Sequence, residues 1–185
     1  MIDLKPACRG MVELLRHVTD DQLAGPTPCD EYTVGDLVDH VDQVSCGSIL
    51  LVQPDLDAVH RPISSFAPRV GTDWRVEVAR HVEVLGDAWD DPAAWESAAD
   101  VAGSDLSKEM WGKITLTELV VHGWDIARAT DQAFDLPVPT LQACLDHVAA
   151  FVPNAPVPGL WGPPVDVSPD APLLVRIVAI TGRTP

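Results

Sequence analysis

The chain is 185 residues long, 46% apolar, with a mean hydropathy of +0.10 and a formal net charge of −16. That length suits one domain spanning residues 1–185 and is enough to bury a core without cross-links. The acidic balance argues against nucleic acid and anionic lipid as partners, because both are held through Lys and Arg. No run reaches the roughly 18 apolar residues of a membrane span, and the start Met1-Ile2-Asp3-Leu4-Lys5-Pro6 lacks the basic-then-apolar layout of a secretory leader. A cytoplasmic protein without membrane contacts is expected.

The elements follow from periodicity. Ala7, Cys8, Met11, Leu14, Leu15 and Val18 recur on one helical face and predict a first helix over 3–18, with His17 at its negative end. A loop with Gly25, Pro26 and Pro28 precedes Thr33, which with Asp36 three residues on makes a capping box for a second helix reaching residue 52. Val34, Leu37, Val38, Val41 and Val44 form its inner face, and His40 sits on the edge of that face. A long connection containing His60, Pro62 and Pro68 leads to a third helix over 73–90, whose inner face is Trp74, Val78, His81, Val82, Leu85 and Trp89.

Residues 92–113 read as mixed, with Gly103 and Gly112 as breaks. A fourth helix is expected from Ile114 or Thr115 to Thr130, and a fifth from 137–140 to 152 with Leu141, Cys144, Leu145 and Val148 as its stripe. After a Pro-rich tether, in which Val165 and Val167 suit a short strand or an extended run, Asp170, Pro172 and Gly182 mark the ends of a last helix. Val175, Ile177, Val178 and Ile180 in that segment would equally suit a strand. The sum is an all-α bundle. Cys8, Cys29, Cys46 and Cys144 form no Cys-x-x-Cys pair and read as free thiols packed as small hydrophobes.

The sharpest chemical signal is Thr117-Glu118-Leu119-Val120-Val121-His122-Gly123-Trp124-Asp125. Glu118 and His122, four apart, stack on one helical face, and Asp125 continues the stripe. A carboxylate and an imidazole so placed make two legs of a metal site, and His40 from another helix supplies the third. Two nitrogens and one oxygen leave coordination positions open, as catalytic sites do. The structural alternative is that Thr115 and Glu118 make a capping box and the histidines are ordinary part-buried side chains. His81 competes as a fourth or alternative third ligand, or as a satisfied core histidine; His147 and His60 have no spaced partner. Asp36, a turn before His40, either caps its helix or accepts from that ring. Asp125 and Arg128 either handle a substrate's charge or stand behind the ligands, or they pair on the helix surface.

The run Pro26-Thr27-Pro28-Cys29-Asp30-Glu31-Tyr32-Thr33-Val34-Gly35-Asp36-Leu37-Val38-Asp39-His40-Val41 resembles the second-helix signature of actinobacterial DinB-like proteins, relatives of mycothiol-dependent maleylpyruvate isomerase. Glu118 through Thr130 resembles their fourth-helix signature, and Trp161-Gly162-Pro163-Pro164 through Gly182-Arg183-Thr184-Pro185 resembles their tail. Tyr32 stands where that family usually shows Trp. The resemblance implies a DinB-like four-helix bundle, here with additional C-terminal helices and a Pro-rich tail. It also implies a divalent metal, usually zinc, held by His40, Glu118 and His122. Nickel, iron and manganese suit such a donor set as well.

The resulting expectation is a metal-dependent transferase or isomerase that activates mycothiol or a similar small thiol toward an electrophile, with a homodimer as its assembly. A metal-dependent hydrolase, using activated water, and a non-catalytic metal-binding or stress-related protein are the alternatives.

Overall fold

A computed structural model describes residues 1–30, 32–56, 73–96, 106–154 and 161–185. His60 and Gly103 lie outside them. The described part is all helical: α1 (Lys5–His17), α2 (Val34–Val52), α3 (Trp74–Ala88), α4 (Lys108–Thr130), α5 (Val138–Phe151) and α6 (Leu173–Ile180), with short 3-10 turns at Asp20–Gln22, Pro92–Trp95 and Val152–Asn154. No helix among the described residues is long and apolar enough to cross a membrane.

Helices α1 to α4 form the bundle. Each of α1 and α2 packs against both α3 and α4, so α2 and α4, the two helices carrying the expected ligands, are direct neighbours. Helix α5 packs on α4, and α6 packs on α5 and, less extensively, on α4. The periodic faces land in the core as expected: Ala7, Met11, Leu14 and Leu15 of α1, Leu37, Val38 and Val41 of α2, Val78, Val82 and Leu85 of α3, and Cys144 and Val148 of α5 are buried. Val44 is only half-buried, because its stretch of α2 borders a cavity.

Two boundaries differ from the sequence reading. Helix α4 starts at Lys108, six residues before Ile114, because the Ser107 hydroxyl caps it by accepting from Met110 N at 3.2 Å. Gly112 is therefore no break. It sits inside the helix where the rings of Trp95 and Trp89 press against its backbone, and a Cβ there would collide with both. The last helix is real, but Asp170 does not cap it; Pro172 holds the N-cap position, and Asp170 N donates to Ser168 Oγ in the preceding turn. The 161–169 segment forms no strand. It runs extended, tied to α6 by a bond from Val165 N to Ala179 O at 2.9 Å. Gly182 ends α6 with φ +88°, as the sequence suggested.

The loop after α4 sends the buried Phe134 ring back between α1 and α4, where it rests on Gly10 and Gly123. This wedge lies one residue from His122. Gly123→Ala puts a Cβ into the Phe134 ring, and overpacking of this kind costs about 1–3 kcal/mol although alanine is the better helix former. A lowered urea midpoint with an unchanged slope is the expected result.

Candidate metal centre

The loop before α2 is fixed by its own polar groups. Val34 N and Gly35 N donate to Gly25 O and Leu23 O, at 3.0 and 2.8 Å. The Thr27 hydroxyl accepts from Cys29 N at 3.1 Å and donates to Tyr32 O at 2.8 Å. The expected capping box is formed: Thr33 Oγ1 accepts from Asp36 N at 3.2 Å, and Asp36 Oδ2 accepts from Thr33 N and Oγ1 at 2.9 and 2.6 Å. These bonds set the start of α2, and His40 follows one turn beyond Asp36. Asp36 is thus turned to Thr33; it caps the helix and does not meet the His40 ring.

His40, Glu118 and His122 converge. Glu118 Oε2 lies 2.9 Å from His40 Nε2 and 3.1 Å from His122 Nε2. The two imidazoles stand edge to face, their centroids 4.9 Å apart. The three donor atoms fall within 4.8 Å of one another. Glu118 is therefore not half of a capping box with Thr115. That threonine lies inside α4, and its hydroxyl bonds back to Trp111 O at 2.9 Å.

The far nitrogen of His122 is also held. His122 Nδ1 donates to Asp125 Oδ2 at 3.0 Å. Asp125 is fully buried, and its charge is met by Arg183, which donates through Nη2 to Oδ2 at 2.9 Å and through Nε to Oδ1 at 3.3 Å. Arg183 Nη1 donates in addition to Thr181 O at 2.9 Å, and the guanidinium lies 5.8 Å from the Trp161 ring centroid. The sequence reading had Asp125 handling a substrate's charge, standing behind the ligands, or pairing with Arg128 at the surface. It stands behind His122, and its cation is Arg183. Arg128 is exposed, 5.9 Å from the Trp124 ring, and stands apart from the donors.

The other histidines are accounted for elsewhere. His81 Nδ1 lies 2.6 Å from Asp42 Oδ1, and its Nε2 lies 2.8 Å from Arg80 Nη2, so it belongs to the α2–α3 interface and is no fourth ligand. His147 is buried against Phe151, where burial pulls its pKa down to about 4 and keeps it neutral. The four cysteines are free thiols; Cys8 and Cys144 are buried, while Cys29 and Cys46 are partly exposed.

Two cavities share His40 and Glu118 as lining residues. One of about 420 Å³ is polar and is bordered by Cys29, Asp30, Tyr32, Trp161 and Arg183 together with His40, Glu118 and His122. The other, of about 300 Å³, runs between α2 and α4 from His40 and Glu118 past Val44, Leu51, Trp111 and Ile114. The side chains present suit a divalent ion: two imidazole nitrogens and a carboxylate oxygen from adjacent helices, with a buried acid on the outer nitrogen of one ring.

The sequence missed Arg183 as part of this site. Its signal was indirect: a buried acid at position 125 requires a cation, and Arg128, three residues on along α4, stood as the nearer candidate.

Helical bundles with an open His/Glu/His cluster between two helices form a recognisable class. The profile of the mycothiol maleylpyruvate isomerase N-terminal domain matches residues 4–127, and the chain belongs to that family. Two proteins of Mycobacterium tuberculosis, one from each of two strains and both described as uncharacterized, are each 27% identical to it over 132 residues. The alignment covers 66% of this chain and 63% of each relative, so the chain spans less than two thirds of the relatives' length. No solved structure matches the chain significantly. Arg183 lies beyond the part matched by the family profile.

Burial pushes the Glu118 carboxyl up, but hydrogen bonds and charge from His122 and His40 outweigh it and bring the pKa down to about 2. For His122, burial acts downward, and the bonds to Asp125 and Glu118 raise it to about 9. In metal-free protein the His122 contribution is complete below about pH 6.5 and is lost as pH rises through about 9; that of Glu118 is complete above about pH 4.5 and is lost as pH falls through about 2. The Tm of chelator-treated protein is therefore expected to fall from pH 6.5 to 9, and His122→Gln to flatten that slope. Arg183→Met leaves Asp125 buried without its cation. It is expected to cost about 3–5 kcal/mol in stability and to weaken zinc binding about 10- to 100-fold by competition titration.

Proposed function

We propose that this protein is a metal-dependent thiol transferase or isomerase acting on a small electrophile, with zinc as the first choice of metal and mycothiol, named in the family's description, as the first choice of thiol. The observation that carries this reading is the convergence of His40 Nε2, Glu118 Oε2 and His122 Nε2 on the wall of one cavity, with His40 and Glu118 also lining a second. Those three side chains would hold the ion. A divalent ion bound there supplies Lewis acidity, which lowers the pKa of a coordinated thiol into the neutral range.

The remaining residues bind and orient. Asp125 keeps the proton of His122 on Nδ1, so that Nε2 faces the cavities once the ring is neutral. Arg183 holds Asp125 in place and ties the C-terminal tail to α4. The polar cavity, with Tyr32, Asp30 and Trp161 on its walls, offers hydrogen-bonding and stacking surface to a polar thiol. Both cavities are lined by His40 and Glu118, so a reactant in each would be held beside the same side chains rather than meeting by diffusion.

The test is zinc-loaded protein with mycothiol and a panel of electrophiles, following thiol consumption. Thiol-dependent turnover that falls at least about 100-fold in His122→Ala supports the reading. Turnover of esters or amides without any thiol contradicts it and points to activated water.

A further inference from the structure

The cavity between α2 and α4 differs in kind from the polar one. Beyond the donors His40 and Glu118, its walls are Val44, Leu51, Trp111, Ile114, Ser48, Thr115 and Gly47. Its two hydroxyls are already paired, Ser48 Oγ with Thr115 Oγ1 at 2.8 Å, and Thr115 also donates to Trp111 O. Beyond the indole N–H of Trp111, buried and without a partner among the described residues, what these walls offer a ligand is mainly apolar surface. No Lys or Arg is among these lining residues, and the nearest charge is the Glu118 carboxylate.

Gly47 supports the same conclusion. It lies inside α2, where glycine weakens a helix relative to alanine. Elsewhere in this fold a helical glycine makes room for a neighbour, as Gly112 and Gly123 do for aromatic rings. A Cβ at Gly47 meets nothing within 4 Å. Gly47 is exposed and stands at the rim of the cavity, so a side chain added there meets no packed neighbour.

We propose that this cavity is the subsite for the apolar part of the electrophile, a short alkyl chain or single aromatic ring, whose reactive carbon is thereby held beside His40 and Glu118. The inference rests on the transferase reading for its chemistry and on the cavity for its specificity.

For an enone, the thiolate sulfur forms a bond to the β-carbon. The carbon–carbon π pair moves to the α-carbon and carbonyl as an enolate, and a proton from water then completes the α-carbon, so that no other reactant is consumed.

Two readouts test the proposal with full-length protein. The first is binding of fluorobenzene to metal-free protein, followed by fluorine NMR, which needs no turnover. Gly47→Leu places a side chain in open volume, and Val44→Asn makes a wall polar. Each is expected to weaken the probe about tenfold or more while zinc content is retained. The second is kcat/KM with mycothiol over enones from methyl to hexyl, expected to rise about three- to fourfold per methylene in wild type and to flatten in Gly47→Leu.

Unchanged probe binding in both variants, or equal kcat/KM across the series, overturns the subsite even if thiol transfer is real. Probe binding lost in the variants without any thiol chemistry sustains an apolar subsite and removes the transferase reading instead.

Discussion

The site depends on one buried interaction, the paired contact of Arg183 with Asp125. A carboxylate with no exposed surface is costly unless its charge is met, and the guanidinium meets it through two donors. From there the order passes along α4: Asp125 fixes the His122 ring, His122 and Glu118 share one helical face, and Glu118 reaches across to His40 on α2. Two helices, the loop before α2 and the C-terminal tail are thus tied through a single line of polar contacts. Because a partly satisfied buried network is worse than none, the line is expected to stand or fail together.

The same line holds the three donors together, with Glu118 between the two imidazoles. A divalent ion taken up by these side chains would compete with the proton on His122, so its uptake would release a proton below about pH 9. The helices need not move for the donors to meet, which suits a site placed on rigid elements rather than loops.

Much of this was legible from local pattern. The i,i+4 spacing of Glu118 and His122, and the edge position of His40, follow from helical geometry alone, and the Thr33–Asp36 box is a local motif that formed as written. The start of α4 was misplaced because Gly112 reads as a breaker until the tryptophan rings packed on it are known. Asp125 was legible as a neighbour of His122, but its partner was not: Arg183 is 58 residues away, and only tertiary packing decides between it and the nearby Arg128. The apolar cavity was invisible for the same reason, since Val44 belongs to a periodic face and nothing local says that the face ends there.

The claim most exposed to a single measurement is that His40, Glu118 and His122 hold one divalent ion. Metal analysis of untagged protein, purified and then equilibrated with zinc, beside the His40→Ala, His122→Ala double variant, addresses it directly. The account predicts about one equivalent of bound metal per chain in the wild type and almost none in the variant, with the helical content of both alike. Equal metal in the two proteins, or none in a folded wild type after incubation with zinc or nickel, would contradict it.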